Sequence, residues 1–356
     1  MFFPQRKTFT KFCGANARVY LPVFCNLCII SLMKFNTVIL AAGMGKRLKT
    51  ETCKVIVPLI GKPLIIHLLD NLQSVISTED TYVVIGYQGE AVQKVVGAHY
   101  PDVKYAWQKE QLGTGHAVMQ VKPVLQKLEQ PTLILAGDVP LIDAQLISQF
   151  YEYHTTTKAD ISVLTANISD PYGYGRIVRD PQRNSILKIV EQKDATSLEK
   201  EITEINSGIY LVESKLLFDL LDKVTPNNKQ NEYYLTDIIK IAGKRKLNIA
   251  PYLYNNPEQL RGVNSRKDMA SIAKYIYSTT RNTHMNNGVT LLSPETTFID
   301  PEVVMERDVI VEPFVHIKGK SHVKENTYIS SFSYLQDYTS QKNEKIPAYF
   351  RSRENK

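Results

Sequence analysis

TVILAAGMGKR, residues Thr37 to Arg47, is an apolar run that enters a loop of small residues and ends on two cations. Thr37-Val38-Ile39-Leu40 has the length and β-branched character of a buried strand, and Ala41-Ala42-Gly43-Met44-Gly45 follows directly. Gly43 and Gly45 permit positive φ and close backbone approach, so successive N–H groups can form an anion-binding concavity with Lys46 and Arg47 just beyond. The stretch points to a phosphate site in an α/β fold, although small residues after a strand also make an ordinary tight turn. A dehydrogenase fingerprint is excluded, because Gly43-Met44-Gly45 continues to Leu48 and no G-x-G-x-x-G forms.

Outward from this stretch, residues 35 to about 278 alternate short aliphatic runs with amphipathic stretches, the pattern of an α/β domain with a largely parallel sheet. A helix begins at Pro63 with Leu64, Ile65, Leu68, Leu69 and Leu72 on one face. A strand over 81–86, a helix over 90–96 and a strand over 104–108 follow. Gln111 to His116, QLGTGH, opens the next helix; strand 132–136 ends in Gly137-Asp138-Val139-Pro140, and a further helix starts near Asp143. Ligands of open α/β sheets gather at the carboxyl ends of strands, so the loops after Leu40, Gln108 and Ala136 should converge. Strands 160–168, 175–178, 186–191 and 208–212 look antiparallel, separated by turns such as Asp170-Pro171 and Asp180-Pro181. Helices 215–224, 232–242 and 266–279 come next, and the polar stretch 282–288 reads as a linker.

A different period appears after the linker. TFIDPE, VVMERD, VIVEPF, VHIKGK, SHVKEN and TYISSF, from Thr297, carry Ile299, Met305, Val311, Ile317, Val323 and Ile329 at the third place. Period six with one buried aliphatic marks a parallel β-helix, each hexad supplying one face of a triangular coil. Six hexads make two coils, fewer than the three or so repeats a stable stack needs, and an antiparallel β pair is the plainer alternative. Beyond Phe332 the hexads stop, and residues 333–356 read as a polar, poorly ordered tail.

The 356 residues are 43% hydrophobic and 22% charged, enough for a full core. Net charge is +7, but Arg6, Lys7, Lys11 and Arg18 lie in the first 33 residues without an acid, leaving +3 for the remainder. No basic stripe interleaved with aromatics argues for nucleic acid, and anionic small molecules suit the balance better. Cys13, Cys25 and Cys28 share that leading segment, and Cys25-x-x-Cys28 finds no second Cys/His pair to complete a zinc site. A reduced, cytoplasmic protein is expected. The apolar run 19–33 is broken by Pro22 and Asn26 and is too short to span a bilayer. Residues 1–33 are therefore read as an upstream extension before a start at Met33, with a genuine leader as the alternative.

LAAGMGKR, Lys54, QLGTGHA, GDVPL, GYGRI, VEQKDAT, INSGI, EYYLTDII and GVNSR occur in this order between Met33 and about Ile329. Together they resemble the bacterial bifunctional UDP-N-acetylglucosamine pyrophosphorylase/glucosamine-1-phosphate acetyltransferase family, specifically its uridylyltransferase half and the first coils of its β-helix. The resemblance implies a Rossmann-like nucleotidyltransferase domain over 34–281 with a mixed, mostly parallel sheet, then a short left-handed parallel β-helix stub over 289–332. It implies transfer of uridylyl from UTP to N-acetylglucosamine 1-phosphate, giving UDP-N-acetylglucosamine, a cell-envelope precursor, and pyrophosphate. Mg²⁺ is the implied cofactor, with no nucleic-acid or membrane partner. Self-association through the β-helix stub is left open, and no acetyl transfer is expected because that site has no counterpart in the sequence.

Residue by residue, the resemblance gives Leu40, Ala41, Ala42 and Gly43 backbone contacts to the nucleotide, points Arg47 at the triphosphate and brings Lys54 to the phosphates. Asp138 and Asn264 are the implied magnesium ligands, and Arg47, Lys54 and Asp138 the catalytic set. Gln108, Gly113 and Thr114 match uracil contacts, with Ala136 and Gly137 beside them, while Gly175, Glu191, Asn206, Tyr234 and Thr236 match the sugar pocket. On residue type alone, Asp138 and Asn264 suit helix caps equally well, Arg47 and Lys54 suit a solvated surface, and the sugar-pocket residues suit turns. The family has Thr at Lys46, Pro at Cys53 and Tyr at Ala136, which puts affinity and base selectivity in question. The competing readings are a nucleotidyltransferase for another sugar phosphate or base, and a degenerate sugar-nucleotide-binding protein.

Overall fold

The computed structural model describes residues 33–182 and 185–352. The expected extension before Met33, with its three cysteines, lies outside the described residues. The stretch that opens the chain's reading forms β1 (Asn36–Leu40), buried from Asn36 to Ile39. Val38 and Ile39 point to opposite faces, and each joins a separate apolar layer between the sheet and its helices.

A short hairpin, β2 (Pro58–Leu59) and β3 (Lys62–Pro63), precedes α1 (Leu64–Leu72). Then come β4 (Thr81–Ile85), α2 (Gly89–His99), β5 (Lys104–Trp107), α3 (Thr114–Met119), β6 (Pro131–Ala136) and α4 (Ala144–Thr156). The second half contains β7 (Ile161–Asn167), β8 (Gly175–Arg179), β9 (Ile186–Val190), α5 (Ser197–Lys200), β10 (Glu204–Glu213), α6 (Ser214–Leu221), α7 (Asp237–Lys244) and β11 (Ile249–Leu253). The main sheet runs β11-β7-β10-β6-β1-β4-β5, with β8 and β9 attached to β10. Strand β10 is antiparallel to β6 and β7, whereas β1 pairs parallel with β4 and β6. The expected mixed, mostly parallel sheet is therefore present, and β1 lies where the chain order reverses, the place α/β sheets keep for ligands.

Three expectations need correction. The helix expected to end near Thr279 is α8 (Arg266–Asn286), which runs through most of the proposed 282–288 linker. Arg281 and His284 are buried in its last turns, so these polar residues pack rather than connect. The helix expected from Glu232 starts only at Asp237, because Tyr233 and Leu235 spend their backbone groups on the QLGTGH loop. Strand β11 is an addition rather than a corrected expectation, with no counterpart in the sequence reading: Pro251 disguises it, tolerated because β11 is an edge strand.

The third correction lengthens the coil. Strands β12 (Thr290–Leu291), β15 (Ile310–Val311), β18 (Tyr328–Ile329) and β20 (Lys345–Ile346) stack on one face. Strands β13 (Phe298–Ile299), β16 (His316–Lys318) and β19 (Tyr334–Gln336) form a second, and β14 (Val304–Met305) with β17 (His322–Val323) a third. All pairings are parallel, as the hexad period implies. The coil does not stop at Phe332: Leu335 and Ile346 are buried in the same core. One residue is missing between Leu335 and Ser340, so the buried place shifts and then recurs at Ile346 and Ser352. Ser340 is 0% and Ser352 9% exposed. Their hydroxyls accept from the backbone N–H of Lys324 and Gln336, both at 2.8 Å or less, so the polar substitutes carry no unpaired group.

A candidate nucleotide site

Three strand ends are laced together by backbone hydrogen bonds. Ala41 N–H donates to Val84, Gly137 N–H to Leu40 and Gln108 N–H to Ile85, all at 2.8–2.9 Å. A cavity of about 360 Å³ opens over them. Leu40, Ala41, Ala42 and Gly43 form one wall, Gln108, Gly113 and Thr114 a second, and Ala136 and Asp138 the floor. The predicted convergence of the loops after Leu40, Gln108 and Ala136 is thus observed. Gly137 sits behind the wall, bonded to Leu40. In the β1 loop Gly45, at φ +64°, is the residue in left-handed backbone, and a Cβ there would stand 2.6 Å from Lys54 Cβ. Gly43 has no positive φ, so its role reduces to leaving space open at the cavity edge.

Lys54 opens a 3-10 turn, Lys54–Ile56, behind Cys53. Cys53 holds φ −53° and ψ 132°, the conformation proline would impose, and its N–H donates to Gln88 Oε1 at 2.6 Å. Proline has no such N–H, so the cysteine presents Lys54 through a hydrogen bond rather than a ring. Burial pushes its thiol up, away from a reactive thiolate. Lys54 Nζ bonds Asp138 Oδ2 and lies 3.3 Å from Asn264 Oδ1, to which Arg47 Nη2 also donates at 2.8 Å. Arg47 is carried by the 3-10 turn Lys46–Leu48, which Leu48 pins into an apolar cluster with Leu141, Val263 and Ile272. The Lys46 side chain is outside the described structure.

The capping alternatives for Asp138 and Asn264 do not hold. Helix α4 is capped by Asp143, whose carboxylate accepts from Leu146 N–H at 2.8 Å. Helix α8 is capped by Ser265 in a reciprocal box with Asp268. Both oxygens are thereby left facing the cations, and Val263 N–H on Asp138 O at 2.9 Å ties the two loops. A carboxylate and an amide oxygen that meet on one ammonium can also meet on one metal ion, and hard oxygen donors suit a divalent cation that keeps water and phosphate ligands. Among the described residues no group of three or more His, Cys, Asp or Glu offers an alternative all-protein cage.

Gln108 is 3% exposed, and its Nε2 is spent on Gly113 O at 3.0 Å and His116 Nδ1 at 3.1 Å. Thr114 Oγ1 accepts from Leu235 N–H at 3.1 Å. The five expected sugar-pocket residues form a second cluster on β8, the residue after β9, β10 and the segment before α7. Gly175 and Asn206 are register partners, and a Cβ on Gly175 would lie 3.7 Å from Glu191 Oε1. Thr236 donates to Glu191 Oε1 at 3.2 Å, while Tyr234 OH takes a bond from Gln230 at 2.7 Å. Burial pushes the Glu191 carboxyl up, against the Thr236 hydroxyl, and holds the Tyr234 phenol at about 12.

The profile described as nucleotidyl transferase matches residues 36–255. The chain belongs to the nucleotidyl transferase family. Among curated relatives of this nucleotidyl transferase, the bifunctional protein GlmU of Acholeplasma laidlawii is 41% identical over 277 residues, 78% of this chain and 59% of the relative. GlmU of Geobacillus thermodenitrificans is 42% identical over the same length and shares. The chain spans about three fifths of the length of these relatives. A solved UDP-glucose pyrophosphorylase complexed with UDP-glucose shares the fold, with a TM-score of 0.55 at 18% identity over 69% of this chain and all of that one. No helix among the described residues is long and apolar enough to cross a membrane.

Sequence reasoning missed several lining residues. Gln111 and Glu232 line the three-loop cavity beside the residues expected there. Both stand inside quoted motifs, and only the chain crossing of 112–115 with 233–235 reveals which side chains face inward. A neighbouring cavity of about 340 Å³ joins Arg47 and Asn264 to Tyr172, Tyr174 and Arg261. Arg261 offers no periodic signal, since it lies in irregular backbone and pairs with Glu258 at 3.0 Å.

Proposed function

We propose that the chain is a magnesium-dependent uridylyltransferase that joins UTP and N-acetylglucosamine 1-phosphate into UDP-N-acetylglucosamine, releasing pyrophosphate. The convergence of Lys54 and Arg47 with Asp138 and Asn264 at the mouth of the three-loop cavity carries the reading. The sugar phosphate is already an oxyanion, so its oxygen attacks the α-phosphorus without a general base. The bond to the β-phosphate oxygen breaks and the electron pair leaves with pyrophosphate. The site must therefore position the two partners in line and neutralise charge. Lys54 and Arg47 do this by moving onto the phosphates, and the Leu40–Gly43 backbone lies along the nucleotide. A divalent cation held by Asp138 and Asn264 supplies the remaining charge neutralisation when bound. Gln108, its amide nitrogen committed inside the protein, offers its oxygen to a base donor such as uracil N3–H. Glu191 and Asn206 receive the sugar hydroxyls and amide.

The reading assigns no acetyl transfer to these residues and places the reaction in the cytoplasm. Pyrophosphate release from UTP, CTP and dTTP with Mg²⁺ and a panel of sugar 1-phosphates tests it. The expected outcome is release with UTP and N-acetylglucosamine 1-phosphate above all other pairs. A different preferred pair makes the chain a nucleotidyl transferase of other specificity, and UDP-N-acetylglucosamine binding without any release makes it a binding protein.

A further inference from the structure

The two oxygens assigned to the metal are covered by the protein's own cations. Lys54 Nζ bridges Asp138 Oδ2 and Asn264 Oδ1, and Arg47 takes the same amide oxygen. The Lys54 and Asp138 side chains are only 17% and 13% exposed, so the pair is poorly screened. At the two oxygens one carboxylate faces two cations, and Asp268 stands behind, accepting from Asn264 N–H at 3.1 Å. A free divalent cation would have to displace the Lys54 ammonium from both oxygens and come up against Arg47. A triphosphate changes both conditions, because it brings negative charge and offers the lysine and the arginine new partners.

We propose that Lys54 is an internal counter-ion that holds the metal position until nucleotide arrives, so the site takes a divalent cation and a nucleoside triphosphate together and not the cation alone. The proposal rests on the reading of Asp138 and Asn264 as metal ligands. Transfer of Lys54 from Asp138 to phosphate couples the two ligands, and by linkage the nucleotide tightens the cation by the same factor as the cation tightens the nucleotide. Arg47 plays the lesser part, since it covers a neutral oxygen and is exposed.

The test measures Mn²⁺ binding by paramagnetic resonance on substrate-free wild type, Lys54→Met and Lys54→Gln. Thermal melting confirms that each variant is folded, and the glutamine variant serves if the methionine one is not. Removing a charge next to the carboxylate should tighten Mn²⁺ by about tenfold or more. Adding Asp138→Asn to the Lys54 variant should abolish that gain. Mn²⁺ binding no tighter in either Lys54 variant than in wild type overturns the proposal. If Asp138→Asn also leaves Mn²⁺ affinity of the UTP-loaded protein unchanged, the metal assignment itself fails; if it weakens that affinity, the assignment stands and only the counter-ion role is lost.

Discussion

Gly113 holds φ +109°, and a Cβ there would stand 2.6 Å from the Tyr233 carbonyl oxygen. The glycine that lines the cavity also admits the protein's own backbone, and Gly115 N–H on Tyr233 O at 2.7 Å closes the crossing. Gly113→Ala should destabilise by about 2 kcal/mol or more through left-handed strain plus the clash, read as a lower urea midpoint, and should weaken UTP binding. At Asp138 the expected effect is catalytic: Asp138→Asn should lower turnover by about 10²–10³-fold while the melting temperature stays near wild type. An unchanged rate would remove Asp138 from the reaction. Glu191 gives a pH signature. Its carboxyl is raised chiefly by burial, so the folded state binds its proton more tightly than the unfolded chain does. The stability this lends is present in acid and lost as pH rises through the folded value. Glu191→Gln should therefore melt higher than wild type at neutral pH, with the gap closing as the pH falls through the raised folded value and gone once it reaches the ordinary carboxylate range.

Helix α8 governs the site from its first turn. Ser265 and Asp268 cap each other, and Asp268 also accepts from Asn264 N–H at 3.1 Å, so the cap orients the residue whose amide faces Lys54. Ser265→Ala should cost about 1 kcal/mol and should weaken metal-dependent UTP binding as Asn264 loosens. Elements with a strong local pattern were legible: β1 with its loop, the apolar face of α1, and the hexads with Ile299 through Ile329 inside. Legibility failed where tertiary contact overrode local pattern. Residues 232–235 look helical but are kept out of a helix by hydrogen bonds to 112–115, and Pro251 hides an edge strand. The third coil was hidden by a one-residue deletion and by serines in an aliphatic place. The site shared this limit: strand-end loops announced the cavity, whereas the pairing of Arg47 with Asn264, 217 residues apart, required the fold.

At the scale of the molecule, α8 joins the α/β domain to the coil, and the contacts around it make the two parts one body. Lys62, on the hairpin that follows the Lys54 turn, bridges Asp70 at 2.6 Å and Glu302 at 2.5 Å. Tyr277 packs edge-on against Phe298, and the buried Arg281 donates to Thr297 O at 3.1 Å. Glu295 is 3.9 Å from Arg281 and 81% exposed, so its charge adds little and the backbone bond carries the energy. A hydrogen bond from a charged donor is worth about 1.5–3 kcal/mol, and cutting it leaves a carbonyl at the start of the first hexad without its partner. Arg281→Ala should therefore lower stability by about 2–3 kcal/mol. The loss should fall on the junction, so hydrogen exchange should quicken in 297–300 and in the last turns of α8 while β1 and β4 keep their protection. Uniform acceleration across the sheet and the coil would instead mean that Arg281 supports the fold as a whole and that the junction has no separate stability.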